Sequence, residues 1–496
     1  MVLKVNEFER DLESGNIGRY DTVEFSEKSN AQFVYSSMDD LMNNLSDLQR
    51  MIESFIHDQK FRLEILEDYS KGNNWGIRQG QRRIEKNKSD YRIRNNYGGY
   101  ITGFVTGYLL GKPITINYDD MDGLNADDEI QAINDNNDLD SLNYELAYDA
   151  SRYGRAFELH YRDEDYNDKI VLIDPKEMFS IRSFKVSNEL IGAVHLPVFN
   201  DTVYPTVYSD DYIYTLKPFA MGQYKLVVED YKPNPYGKVP VVEWFNNRYR
   251  IGDFETVIPN IDAYDSAQSD TANYMSDLND STLVVNTDSI DAFLDNGGMQ
   301  ALTDSNVLLL ENGVNAAGGT TQGKADYIYK QYDVAGTEAY KKRLNDDIFR
   351  LSNIPDMTDA KFGTQSGIAI QYKLIGLKQI QVIKENYFTK ALRRRYELIE
   401  SIHDDLNEAV VDANKLTFTF HPNLPQDVWA EVEQYIGATG EISQETLMEL
   451  ASFTDSTKEK ERLENEALTV DLTDEQRSQL LGGVSNEQDK ATGVTE

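Results

Sequence analysis

The sequence predicts an α+β protein whose helical parts flank a β-rich middle. Three observations carry this. Apolar residues recur three or four apart from Asp39 to Tyr69. After Gly154 the pattern shifts to short β-branched and aromatic runs separated by Asp-, Asn- and Gly-rich turns. A helical stripe then returns from about Ile368 to Leu406, long enough to exceed about 50 Å at ~1.5 Å per residue. The chain has 496 residues, 40% of them hydrophobic and 11% aromatic, enough to bury a sizeable core in more than one domain.

The elements follow in order. Leu41, Leu45, Leu48, Ile52, Phe55 and Ile56 make one helical face. Lys71 to Arg94 holds eight Lys/Arg against Glu85 and Asp90, the only strongly basic stretch; it predicts either a contact for an acidic partner or nucleic acid, or a salt-bridged surface. Gly99, Gly103 and Gly107 share one face of a helix over Tyr97 to Leu110, a spacing that admits a close neighbour. Another helix is predicted at Asp138 to Tyr153. Strands are predicted at Ala156 to Tyr161, Ile170 to Ile173, Leu190 to Val198, Tyr212 to Leu216 and Tyr224 to Val228, with Val239 to Phe245 closing the β-rich part. Thr256 to Leu283 is helical again, with Asp262, Asp265, Ser269, Asn273, Asp277 and Asp280 along one polar line. Residues 284–335 mix short apolar runs with a Gly/Thr stretch and predict a small α/β insertion. A helix over Thr337 to Ser352 and a polar loop from Pro355 to Gly367 precede the long helix. Leu416 to Phe420 reads as a strand, followed by acidic helices and a polar tail of about 25 residues.

Charge and chemistry exclude several classes. There are 49 Lys+Arg against 85 Asp+Glu, a net charge of −36. A broad DNA-gripping surface needs cations to release counterions, so this chain is not expected to hold DNA tightly. Without cysteine there is no disulfide framework, thiolate metal site or thiol nucleophile. The first residues, MVLKVNEFERDLESG, have no apolar run and predict no secretory signal. The most apolar stretch, Tyr100 to Ile116, falls short of the ~20 residues a membrane helix needs, so no membrane partner is expected. A phosphate loop fails at Thr106 and Pro113 around Gly111-Lys112. Asp120, Asp122, Gly123 and Glu129 match four positions of a calcium loop, but Tyr118 occupies the first ligand position; an acidic turn is predicted, with a weak divalent site as the alternative. His57, His160, His195, His403 and His421 form no metal spacing. No enzyme, cofactor or resident metal is expected.

Several segments resemble the portal proteins of long-tailed, siphovirus-type phages of Gram-positive bacteria: Tyr69-Ser70-Lys71-Gly72-Asn73, Asp90 to Tyr97, Gly107-Tyr108-Leu109-Leu110-Gly111-Lys112-Pro113-Ile114, Gly154 to Leu159, Asp262-Ala263-Tyr264 with Ser269-Asp270, Ser366 to Ile370 with Lys373, and Glu441 to Glu466. Their order and spacing run from about residue 40 to 470. The resemblance implies a ring, usually of twelve subunits, with a helical stem, β-rich wing, small α/β clip and helical crown. On this chain it implies an N-terminal arm at 1–38, wing at 39–255, stem helices at 256–283 and 336–354, clip at 284–335, tunnel loop at 355–367, a long wing helix and strand at 368–421, crown at 422–470 and a flexible tail at 471–496.

The same resemblance implies a DNA conduit at the capsid vertex for packaging, retention and ejection, in the virion and, during assembly, in the host cytoplasm. It implies double-stranded DNA passing without sequence specificity, and as partners the terminase, scaffolding protein, major capsid protein and a head-completion or adaptor protein. A structural protein from another part of the virion is the alternative. The tunnel loop would present Asp356, Met357, Thr358, Asp359, Lys361, Phe362 and Gln365 to DNA. Asp262, Asp265, Asp277 and Asp280 would line the channel with like charge that repels phosphate; a solvated outer face is the alternative. Val307, Leu308, Leu309 and Leu310 are expected to pair between subunits in the clip, or to form a core strand.

Overall fold

The computed structural model describes residues 27–78, 89–118, 126–164, 167–220, 222, 225–278, 282–287, 307–311, 326–328, 333–357, 374–406 and 411–423. The chain divides into two units, Met1–Pro422 and Asn423–Glu496, and every described helix and strand belongs to the first. The expected crown and tail lie outside the described residues.

The predicted mixture of helix and sheet is present, with finer divisions. The first helical run is α1 (Met38–Asn43), α2 (Leu45–Ser54), a π-turn at Phe55–Gln59 and α3 (Lys60–Ser70). Leu48, Ile52 and Phe55 bury one face against Phe179, Ile181, Val194 and Val207 of a six-stranded sheet. That sheet runs β1 (Phe33–Tyr35), β5 (Met178–Ser183), β6 (Leu190–His195), β9 (Thr206–Ser209), β10 (Tyr212–Leu216), β12 (Val228–Pro233). Part of the supposed N-terminal arm is therefore structural: β1 pairs in parallel with β5, Phe33 opposite Ile181, and Met38 is buried.

Two strand expectations are corrected. Leu190 to Val198 is not one strand, because Pro197 has no N–H to give a ladder. The chain turns there, Tyr204 N–H bonding Pro197 C=O at 3.0 Å, and β7 (Val198–Phe199) pairs with β8 (Thr202–Val203). The strand expected at Tyr224 to Val228 instead covers Val228–Pro233, where Tyr231 lies opposite Tyr214. Its residues after Val228 are all exposed, so no alternation marks it in the sequence.

The largest core joins helices to a second sheet. Between α4 (Trp75–Arg78) and the strands lie α5 (Tyr97–Leu110), α6 (Ala126–Asn137) and α7 (Leu139–Tyr153). Strands β3 (Arg155–Arg162), β4 (Asp168–Ile173) and β13 (Val241–Phe245) make an antiparallel sheet in the order β13-β3-β4. Trp244, Ala156, Leu146 and Leu109 pack with Phe388, Leu392 and Tyr396. Gly154 makes the α7–β3 corner: its φ is +87°, and a Cβ there would sit 2.1 Å from Arg250 C=O. The glycine face of α5 is only half used. Gly98 and Gly99 approach the backbone of Tyr69 and Ser70, whereas Gly103 and Gly107 have nothing within 4 Å.

Three long helices follow. The first, α8 (Ile258–Leu278), stops short of residue 283, because Thr282-Leu-Val-Val opens strand β14 (Thr282–Thr287). Helix α9 (Val334–Leu351) is capped by Asp333, which accepts from Gly336 N–H at 2.9 Å. The long helix α10 is described over Ile375–Leu406; residues 368–373 of the expected helix lie outside the described residues. Strand β17 (Leu416–Thr419) pairs with β2 (Thr115–Tyr118). Buried charges bolt α10 down. Arg395 bonds Glu158 at 2.6 Å and Asn143 at 2.8 Å, and Trp244 Nε1 donates to Glu158 at 3.1 Å. Lys384, also buried, bonds Asn246 and reaches Asp253 at 2.8 Å.

Candidate functional site

The polar line on α8 is the informative feature, and it faces inward. Asp265 and Ser269 are fully buried, and Asp262 and Asn273 are each 4% exposed. Against them runs the non-helical stretch 89–96, whose alternate backbone amides they receive. Asn95 N–H bonds Asp265 Oδ1 at 3.0 Å, Ile93 N–H bonds Ser269 Oγ at 2.9 Å, and Tyr91 N–H bonds Asn273 Oδ1 at 2.7 Å. Two residues of extended chain advance about 6.6 Å and four helical residues about 6 Å, so donors and acceptors stay matched over three rungs. Ser269 also donates to Asp265 C=O at 2.7 Å, and Ser89 meets Ser276 at 2.9 Å. The line is a side-chain ladder that satisfies the amides of a segment outside any sheet.

The first turns of α8 add a clasp to α3 and α4. Tyr69 OH donates to Asp262 Oδ1 at 2.7 Å, and Asn74 donates to Asp265 Oδ2. Asn95 Nδ2 reaches Asp265 Oδ1 at 2.7 Å. Burial, with the neighbouring Asp265 charge, pushes the Asp262 carboxyl up to about 7 despite the hydrogen bond from Tyr69. Burial also raises Asp265, opposed by its Asn95 and Asn74 donors. The Tyr69 hydroxyl is pushed far up by burial and by Asp262. Beside the clasp, α9 packs on α8: Tyr97 OH donates to Asn345 at 2.6 Å, and its ring stands edge-on to Tyr264 at 5.5 Å.

This placement corrects half of the expected channel stripe. Asp262 and Asp265 are buried, Asp262 Oδ1 accepting from Tyr69 and both Asp265 oxygens from Asn74 and Asn95, so neither presents its carboxylate at the surface of the chain. An i, i+3/i+4 line of Asp, Ser and Asn reads alike whether it meets solvent or backbone donors, so sequence alone did not separate the cases. Asp277 is half-buried, and Asp280 lies outside the described residues. In the expected tunnel loop, Asp356 is half-buried and Met357 is 40% exposed; Thr358, Asp359, Lys361, Phe362 and Gln365 lie outside the described residues. Val307, Leu308, Leu309 and Leu310 lie on β15 (Val307–Glu311), which pairs in parallel with β14; β16 (Asp326–Ile328) pairs on β14's other side, so that among the described strands β15 is at the edge of the sheet.

The described part of the basic stretch is paired within the chain. Lys71 meets Glu67 at 2.6 Å, Arg92 meets Asp90 at 2.7 Å, and Arg94 bonds Asn73 at 2.7 Å. Arg78 stands 5.4 Å from the Trp75 ring centroid. Residues 79–88 of that stretch lie outside the described residues. Among the described residues no group of three or more His, Asp or Glu is placed to hold a metal ion. Asp120, Asp122 and the Glu129 side chain fall outside them. No described helix is long and apolar enough to cross a membrane. Sequence reasoning missed Tyr69, Asn74 and Asn95 as the acids' partners, and the buried charges Glu158, Arg395 and Lys384. Tyr69, Asn95 and Glu158 carried a signal, through the resembling segments that contain them.

Helices α8 and α9, with a small sheet between them in sequence and α8 clasped to Tyr69 and Asn74, accompany the β-rich part of the fold. The family model described as "Phage portal protein, SPP1 Gp6-like" matches residues 51–470, and the chain belongs to that family. The portal protein of Bacillus phage SPP1 is 22% identical over 216 residues, 40% of this chain and 42% of that protein. The match thus spans less than half the length of that curated relative. Among solved structures, the neck of an empty gene transfer agent particle, computed with C6 symmetry, is 13% identical and covers 73% of this chain and 90% of its own, with a TM-score of 0.40. The neck of the native particle, computed with C12 symmetry, is 10% identical over 72% and 89% of the two chains, with a TM-score of 0.42.

Proposed function

We propose that this chain is the subunit of a phage portal ring, a conduit through which double-stranded DNA enters and leaves the capsid. The observation that carries the reading is the family match across residues 51–470. In this reading the clasp and ladder hold the stem helix α8 rigidly on the wing while DNA moves past. The negative face offered to DNA comes from Asp277 and Asp280 near the end of α8 and from the sparsely charged loop at 355–367. Like charge there prevents the counterion-release binding that would stall the duplex. The edge strand β15, with Val307 to Leu310, pairs with the corresponding sheet of the next subunit, since an uncovered strand edge is a ready template for another chain.

The same reading places the ring at the capsid vertex of the virion, docked to a packaging terminase, a scaffolding protein, the major capsid protein and a head-completion protein. The motor is a separate protein. The domain limits are the expected ones, with the first stem helix ending at Leu278 and part of the N-terminal arm joined to the wing. Asp277→Lys with Asp280→Lys tests the channel in a packaging assay. Packaged DNA is expected to fall at least tenfold with rings still formed. Wild-type packaging by rings carrying both lysines contradicts the channel assignment.

A further inference from the structure

A recess of about 700 Å³ opens between α10 and the sheets, with Val241 and Phe245 of β13 and Leu190 of β6 among its apolar walls. Arg182, Lys238, Lys390 and Arg394 all line it. In a chain of net charge −36, four cations against three acids leave this lining slightly positive. Three acids share the lining: Glu189, Asp210 and Glu243. Glu243, however, has no exposed side chain and is already neutralised by Arg182 at 3.0 Å. Two floor atoms remain without a hydrogen-bond partner in the chain, Glu243 Oε1 and Arg182 Nε. Of the outer cations, exposed Lys390 stands over the Tyr387 ring at 5.5 Å, and half-buried Arg394 reaches Glu397 at 3.3 Å and Val239 C=O at 3.5 Å. The recess is thus an apolar hollow whose rim carries Lys238, Lys390 and Arg394 against exposed Glu189 and Asp210, with an incompletely satisfied floor.

We propose that this recess seats a carboxylate-bearing segment of a second copy of the chain, and is one half of the contact between neighbours in the ring. The inference rests on the portal reading and names a contact within it. Charge complementarity selects the occupant. Copies carrying −36 each repel over most of their surface, and an attractive contact needs a basic surface on one copy to meet an acidic one on the next. In a closed ring every subunit uses the same two unlike surfaces, so a basic recess and an acidic projection on one chain suffice. Apolar walls under Lys238, Lys390 and Arg394 fit an acidic peptide better than a bare phosphate, which gains nothing from Val241 and Phe245. Two of the cations, Lys390 and Arg394, lie on α10, which Arg395 and Lys384 fix to the body, so this wall of the recess is held in place before binding.

The test compares the full chain with Lys390→Glu/Arg394→Glu, using mass photometry and electron microscopy, with circular dichroism melting to establish that the variant is folded. Lys390 is exposed, and Arg394 is half-buried with one long bond to Val239 C=O at 3.5 Å, so the variant is expected to melt within a few degrees of wild type. The expected result is wild-type rings, and a folded variant at least tenfold depleted in rings. Rings of wild-type abundance from the variant overturn the recess as a subunit contact and leave the portal reading standing. A variant that melts well below wild type is replaced by Lys390→Gln/Arg394→Gln, judged on the same ring yield. A wild-type chain that stays monomeric even with its scaffolding and capsid partners overturns the portal reading, and this contact with it.

Discussion

At the residue scale, buried carboxylates with opposite behaviour dominate the pH response. Asp262 has an ordinary value of 3.8 and is pushed up to about 7 by burial. An acid raised in the folded state carries no penalty below about pH 4. It costs stability increasingly as pH rises towards 7, at about 1.4 kcal/mol for each pH unit crossed, and the full cost applies above that. Asp262→Asn keeps an acceptor for Tyr69 and removes the charge. It is expected to raise the melting temperature at pH 7.5 and leave it unchanged near pH 4; an equal change at both pH values contradicts the assignment. Glu158 behaves in the other sense. Burial alone would raise it, but Arg395 and His160 outweigh burial and hold it down at about 2. Its contribution is present above about pH 4.5 and is lost as pH falls towards 2. Glu158→Gln leaves Arg395 buried without its counter-charge and is expected to cost about 3–5 kcal/mol in urea titrations at neutral pH.

At the element scale, the ladder makes a sharp claim about three amides. Tyr91, Ile93 and Asn95 belong to no sheet, yet each is bonded to α8. In hydrogen exchange they are expected to be protected, and Ser269→Ala/Asn273→Ala is expected to speed exchange at residues 91 and 93 by tenfold or more. Exchange that is fast in the wild type contradicts the ladder. Glycines separate in the same way. Gly107→Ala meets nothing within 4 Å in the chain and is expected to stabilise by up to about 1 kcal/mol in urea titrations. Gly154→Ala meets Arg250 C=O at a positive φ and is expected to destabilise.

The elements also show what the sequence made legible. Periodicity located α2, α5, α7, α8, α9 and most of α10, because each buries one face at helical spacing, as Leu48, Ile52 and Phe55 do. It failed at β12, whose exposed residues have no alternation, and at Pro197, where one expected strand is two. It also identified the polar line on α8 but not its direction. Hydrophobic pattern reports which residues avoid water, whereas Asp265 and Ser269 are buried by hydrogen bonds to residues more than 160 positions away in sequence, which no local window contains.

At the scale of the whole molecule, the family match over residues 51–470 supports the proposed ring subunit, in which the clasped helix α8 serves as stem. In the proposed ring, a net charge of −36 per chain would suit a passage that does not bind DNA, and contacts between copies would have to overcome it. The central claim is closed assembly around a channel. The measurement that tests it most directly is electron microscopy of the purified full chain, with mass photometry on the same sample. The account predicts closed rings with a central opening wide enough for a DNA duplex, at an integral multiple of 56.7 kDa. A uniform monomer that persists with scaffolding and capsid proteins present contradicts it.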